Sequence, residues 1–286
     1  MGHPRPTRPD KVVIVTRSLG FLTNRISVVS AYVAELFRRG LPEFVGDMDR
    51  EFVVLLDGVG GFQFVPLLAR KVLREAGAKI GSTWFRWQVA IPGLILVDLM
   101  WYRRNRLMAA KLARKLLALR RAHREATIHI VSFSGGTGIA VFALERLRGR
   151  VPIETLVLAC PAISREFNLG PALRGVKRCY ALVSCRDRWL LGVGTRLFGT
   201  MDRRHERSAG LVGFAHPEGL TATDAEAYSR MREIHWSPEM REDGHAGGHT
   251  GWANVPFLRR HLLPILAGKP LLAVRTLDSG GKAGNN

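Results

Sequence analysis

Residues 127–147 read Thr-Ile-His-Ile-Val-Ser-Phe-Ser-Gly-Gly-Thr-Gly-Ile-Ala-Val-Phe-Ala-Leu-Glu-Arg-Leu, and this stretch decides the fold. A short β-rich run, 127–131, breaks at Ser-Phe-Ser-Gly-Gly, and an apolar helical pattern starts at once. A strand that turns this sharply into a helix crowds its own backbone, so the positions two before and two after the central serine must be small. Ser132 and Gly136 hold those positions around Ser134, and Gly138 is expected to let the helix lie close against the sheet. The unpaired N–H groups that open the helix would face any negative charge developing beside the Ser134 oxygen.

Two nucleotide-binding readings of the same glycines fit less well. No Lys-Ser or Lys-Thr follows them, so they form no P-loop, and Gly136, Gly138 and Val141 miss the third small residue of a dinucleotide fingerprint. At least two strand-like runs precede the turn, whereas that fingerprint follows the first strand. A turn that serves only tight packing stays open as an alternative. The full elbow pattern is Gly-x-Ser-x-Gly, and this chain has Ser132 at its first position.

A serine at such an elbow needs an acid and then a histidine further along the chain. Residues 155–159 (Thr-Leu-Val-Leu-Ala) read as a buried strand, and 179–184 (Cys-Tyr-Ala-Leu-Val-Ser) read as another that runs into Cys185-Arg186-Asp187-Arg188. Asp187 therefore falls just past a strand's carboxyl end, where ligands gather on a parallel sheet. Residues 232–236 look like a last short strand, followed by a glycine-rich loop with Asp243, His245 and His249 and an apolar helix over 252–266. His249, just ahead of that helix, is the expected general base, with Asp187 holding its tautomer. Open alternatives are Asp187 as a surface ion-pair partner, Asp202 as the acid and His245 as the base. No carboxylate or cysteine cluster completes a metal site around Asp243, His245 and His249, so no metal is expected. Upstream, the buried run 52–56 leads into Asp57-Gly58-Val59-Gly60-Gly61, with a helix beginning near Gln63. That loop can aim the Val59 N–H at an oxyanion, joined by the Gly135 N–H.

Together these pieces resemble the α/β-hydrolase superfamily, in its serine esterase and lipase-like members, over residues 11–266. The resemblance implies a mostly parallel, eight-stranded, doubly wound sheet with helices on both faces, and Ser134, Asp187 and His249 as a triad. It also implies cleavage of an ester or thioester through an acyl-enzyme and with no cofactor; the apolar residues between Val89 and Trp101, apart from the resemblance, favour a hydrophobic or acyl substrate. Family members often carry His-Gly before the oxyanion residue; here the pair is Asp57-Gly58, which maps the first donor onto Val59. The departures at Ser132 and Asp57 keep a non-catalytic scaffold of the same fold open as the alternative.

The 286 residues carry no linker-like stretch, so one α/β domain is expected over 11–268, with a flexible N-terminus at 1–10 and a tail at 269–286. Its first strand is expected at 11–16, with a core-covering helix over 24–39. Cys160, Cys179 and Cys185 form no spaced framework and read as reduced. No signal peptide is evident, and a cytoplasmic location is expected. The net charge of +19 predicts attraction to anionic surfaces. Part of it lies in a basic amphipathic segment, 88–125, where Leu107, Leu112, Leu116, Leu117 and Leu119 recur near helical spacing among arginines. This segment is expected to be a crossover helix, or a cap touching anionic lipid, with Trp84, Trp87 and Trp101 around the apolar run before it. Charge alone licenses weak, salt-sensitive nucleic-acid binding, and no nucleic-acid motif accompanies it.

Overall fold

Buried runs of five or six residues build the centre of the sheet, in place of the polar–apolar alternation of a strand with one face in water. The computed structural model describes residues 43–269, apart from 62, 90–94 and 216. The strand expected at 11–16, the helix expected at 24–39 and the expected N-terminal segment 1–10 lie outside these residues, as does the tail beyond Lys269. Among the described residues seven strands form one sheet: β1 (Phe44–Val45), β2 (Glu51–Leu56), β3 (Gly81–Trp84), β4 (Thr127–Phe133), β5 (Ile153–Ala159), β6 (Val176–Val183) and β7 (Met231–His235). Their order is β1-β3-β2-β4-β5-β6-β7, parallel throughout except for the antiparallel edge strand β1.

The sequence anticipates β2, β4, β5, β6 and β7 to within a few residues. It does not anticipate β1, only two residues long, or β3, whose Gly-Ser-Thr-Trp has no apolar run. The direction in which strands are added across the sheet reverses between β2 and β4: β2 connects outward to β3 on one side, and β4 connects to β5 on the other. Loops leaving the carboxyl ends of two such strands diverge and open a crevice. The β2 loop (57–61) and Ser134 meet there.

Four helices matter for the site: α1 (Phe64–Glu75), α2 (Ile95–Met100), α3 (Tyr102–Ala122) and α4 (Gly135–Leu147). The basic segment is α3, a crossover between β3 and β4 that packs on α4. Its buried stripe is Asn105, Ala109, Leu112, Ala113, Leu116 and Leu119, at helical spacing. Leu107, expected in that stripe, is 63% exposed, and Asn105 takes the inward place, its amide donating to the Asp98 carbonyl at 2.7 Å. Trp84 and Trp87 are buried, while Trp101 is exposed.

The helix expected over 252–266 is irregular. A 3-10 turn (His249–Ala253) leads into helical turns that change pitch around Leu258–Leu262, where Pro256 and Pro264 interrupt regular pairing. Gly138 is also placed differently: a Cβ there would meet Met201 at 2.6 Å, so it admits the 200–201 segment, not the sheet. Gly136 makes the close approach to the sheet edge. Among the described residues no helix is long and apolar enough to cross a membrane.

Candidate active site

Ser134 sits between β4 and α4 with φ 51 and ψ −124, a conformation a side-chain-bearing residue keeps only when its surroundings enforce it. Its N–H donates to the Ala159 carbonyl of β5 at 2.9 Å, and Thr137 donates to its carbonyl from both N–H and Oγ1. Two residues on, a Cβ at Gly136 would lie 2.4 Å from the Asp57 carbonyl oxygen, so this position admits only glycine. Two residues back, Ser132 is buried and its hydroxyl donates to Val157 O at 2.9 Å. The neighbouring strand thus accommodates serine where the usual elbow has glycine.

Two residues distant in sequence converge on this turn. His249 Nε2 lies 2.9 Å from Ser134 Oγ, and His249 Nδ1 is hydrogen-bonded to Asp187 Oδ2. Asp187 is buried in the turn after β6, where its N–H donates to Ser184 O. It is not a surface ion-pair partner: Arg186 stacks over Trp236 at 4.6 Å, and Arg188 is exposed and not bonded to Asp187. His249 opens the 3-10 turn, its ring 5.0 Å from that of Phe133. The loop before it is tied to β6, since Ser184 Oγ donates to Gly247 O at 2.6 Å.

The other candidates are occupied elsewhere. His245 is enclosed by Trp252 and Phe257, its Nδ1 accepts the Gly247 N–H at 3.0 Å, and burial pushes its pKa down to about 3, helped by His261. Asp202 accepts from Ser164 N–H at 2.8 Å and from Thr200 Oγ1 at 2.6 Å. Asp243 pairs with Arg260 and His261. The set Asp243, His245 and His249 therefore does not converge.

The β2 loop presses on the serine. A Cβ at Gly58 would lie 3.1 Å from Ser134 Cβ, and one at Gly135 would lie 2.9 Å from Val59 Cγ1. The Gly135 N–H opens α4 and has no acceptor within the helix. Asp57, the departure from His-Gly, is buried and structural. Its carboxylate accepts the Gly58 N–H at 2.9 Å and those of Phe64 and Val65 at the start of α1. Burial pushes its pKa up to about 6; those N–H groups and nearby His249 oppose the rise.

Several residues that hold this loop were not identifiable from the sequence. Trp87 Nε1 donates to Asp57 O at 2.9 Å, and Gln88 Nε2 to Gly58 O at 2.6 Å. Asp98 of α2, fully buried, accepts the Gly60 N–H at 2.9 Å and the Val89 N–H at 2.8 Å, and Arg104 bonds it at 3.3 Å. The sequence shows Asp98 only as a charge interrupting an apolar run. Cys160 is the other unforeseen neighbour, its Sγ 4.0 Å from His249 Nε2. Cys160, Asp187 and His249 present potential metal ligands within 4.8 Å of one another, but Asp187 and Cys160 approach opposite nitrogens of the ring. Burial pushes the Cys160 thiol well up, so it stays protonated beside the imidazole.

No protein-family model matches the chain, and no curated protein matches it in sequence. Solved structures do resemble its fold. Lipase B of Aspergillus fumigatus is 11% identical with a TM-score of 0.46, over 79% of this chain and 56% of that one. Carboxylesterase CesB of Bacillus subtilis is 13% identical with a TM-score of 0.40, over 89% of this chain and all of its own. A cutinase-like protein from Cryptococcus is 13% identical with a TM-score of 0.38, over 77% of this chain and 97% of its own. The chain thus spans little more than half the length of the lipase. Any functional reading has to stand on the geometry of the crevice itself.

Proposed function

We propose that the chain is a serine hydrolase of the α/β-hydrolase superfamily, cleaving esters or thioesters by acyl transfer to Ser134. One observation carries the reading: His249 bonds Ser134 Oγ through Nε2 and Asp187 through Nδ1, at a serine held in the elbow conformation. In this reading Ser134 Oγ attacks the substrate carbonyl while His249 Nε2 takes its proton. Asp187 fixes the tautomer that leaves Nε2 free to accept it and stabilises the imidazolium that forms. The oxyanion meets the N–H groups of Gly135 and Val59. Collapse expels the alcohol or thiol, which leaves with the proton from His249. A water then attacks the acyl-serine by the same route and releases the acid. The proposed steps call on no metal or cofactor.

The two departures from the family pattern have local explanations compatible with turnover. Ser132 is satisfied by the neighbouring strand, and Asp57 braces the oxyanion loop against α1.

Fluorophosphonate labelling of the wild type beside Ser134→Ala, His249→Ala and His245→Ala tests the reading. Labelling should vanish with Ser134→Ala, fall at least a hundredfold with His249→Ala, and persist in a folded His245→Ala. A folded wild type that takes no label would leave the chain a non-catalytic scaffold of this fold.

A further inference from the structure

The helical segment that follows Asp187 turns its apolar side to solvent. Trp189, Leu190, Val193 and Leu197 are 81%, 56%, 45% and 64% exposed, whereas Leu191, Gly192 and Thr195 are buried. Positions 189, 190, 193 and 197 share one helical face, so this segment is amphipathic in the reverse of the usual surface sense. Helix α2 packs against Thr195–Phe198 and extends the patch with exposed Ile95, Leu96 and Met100, followed by Trp101. An apolar surface spread over two adjoining segments marks a binding face.

A basic pocket opens beside it. Arg188, Arg196 and Arg207, with Val193, Leu211 and Val212, line a cavity of about 460 Å³ with no carboxylate in its wall. None of these three arginines has an ion-pair partner among the described residues. Arg104, Arg106 and Arg174 hold Asp98, Glu145 and Asp224, whereas Arg114 and Arg121 of α3 also lack an ion pair among the described residues, so what sets the pocket apart is three arginines gathered on one apolar wall. Three unpaired guanidiniums against an apolar wall suit a phosphate that carries a hydrocarbon chain. Trp and Leu flanked by arginine is also the composition of segments that lie in a membrane interface.

We propose that this face docks onto an anionic lipid surface, the arginine pocket taking a lipid phosphate and Trp189, Leu190, Val193 and Leu197 entering the acyl boundary. The chain's net charge of +19 would draw it there from a distance. Nucleic acid would use the arginines but leave Leu190, Val193 and Leu197 in water, so it accounts for half of the surface. The pocket arginines lie outside α3, the basic helix that the sequence makes most conspicuous. It does not depend on turnover by Ser134.

Vesicle sedimentation tests it, using phosphatidylcholine alone and mixed with phosphatidylglycerol. Three full-chain variants are compared with the wild type: Trp189→Ser/Leu190→Ser/Leu197→Ser, Arg188→Gln/Arg196→Gln/Arg207→Gln, and a charge-matched control on α3, Lys111→Gln/Arg114→Gln/Arg121→Gln. The altered side chains are exposed, and unchanged thermal melts establish that each variant folds. Binding to the anionic vesicles should fall about fivefold for each pocket arginine removed. It should fall more than tenfold for the apolar variant and less than twofold for the control. Equal binding to both vesicle types, or a control as weak as the pocket variant, would overturn the proposal. So would a wild-type dimer that the apolar variant dissolves, because the face would then serve a second copy. Binding of soluble glycerol 3-phosphate without any binding to vesicles would replace the membrane with a free phosphate ester.

Discussion

Ser134 keeps its conformation because every atom around it is already committed. Its N–H is bonded to β5, its carbonyl receives Thr137, and its Cβ faces Gly58 across a gap that a further methyl would close. The tightest constraint is Gly136. A methyl at that position would fall 2.4 Å from the Asp57 carbonyl, a backbone atom that cannot rotate away. Gly136→Ala should therefore push α4 and the β2 loop apart, costing about 1–3 kcal/mol of stability and slowing fluorophosphonate labelling at least tenfold. Gly248 provides the contrast, since a Cβ there meets nothing within 4 Å and its φ of −77 suits any residue. Gly248→Ala, one residue from His249, should stay within about 0.5 kcal/mol of the wild type in urea unfolding and label at the same rate. Equal behaviour of the two alanines would show that packing at Gly136 does not set the elbow.

At the scale of elements, the β2 loop and α2 act as one unit because Asp98 of α2 bonds the loop. One oxygen accepts from Gly60 in the loop, and the other accepts from Val89 and Arg104 behind it. Asp98→Asn replaces one acceptor with a donor that would face an N–H, a mismatch worth about 1–3 kcal/mol. The loop should then lose its aim at the oxyanion. For a soluble ester the expected result is a kcat lower by roughly tenfold, short of losing a whole oxyanion donor, with KM within twofold. A change in KM alone would make Asp98 a support of the substrate pocket instead. This unit also shows where sequence reading stopped. The apolar runs at β2, β4, β5 and β6 declare buried parallel strands on their own. The elbow glycine, the acid past β6 and the late loop histidine follow from chemistry with a known chain order. Trp87, Gln88 and Asp98 act on a loop some 30 to 40 residues earlier, through backbone atoms, and no spacing in the chain encodes that contact. The polar strand β3, which brings them there, is equally silent.

At the scale of the whole molecule, two buried titratable groups give the stability opposite dependences on pH. Asp57 is pushed from 3.8 up to about 6 by burial, so the folded chain holds its proton more tightly than the unfolded chain does. Its effect is a loss of stability as pH rises from about 4 through 6, of the order of 3 kcal/mol at about 1.4 kcal/mol per pK unit. His245 is pushed from 6.5 down to about 3, so the unfolded chain binds the proton first. Its stabilising effect is complete above pH 6.5 and is lost as pH falls toward 3, by several kcal/mol. The histidine shift is the larger, and its enclosure by Trp252 and Phe257 offers the imidazolium no counter-charge. Urea midpoints should therefore decline below pH 6.5, with Asp57 partly offsetting the decline. His245→Gln, whose amide oxygen can still accept the Gly247 N–H, should flatten the acid limb while lowering stability at pH 7. Asp57→Asn should do the reverse, steepening the acid limb by removing the group that gains there. If His245→Gln leaves the acid limb unchanged, the proton that unfolds the chain goes elsewhere, and the groups to titrate next are His129, held down by burial, and Asp224, held down by its bond to Arg174.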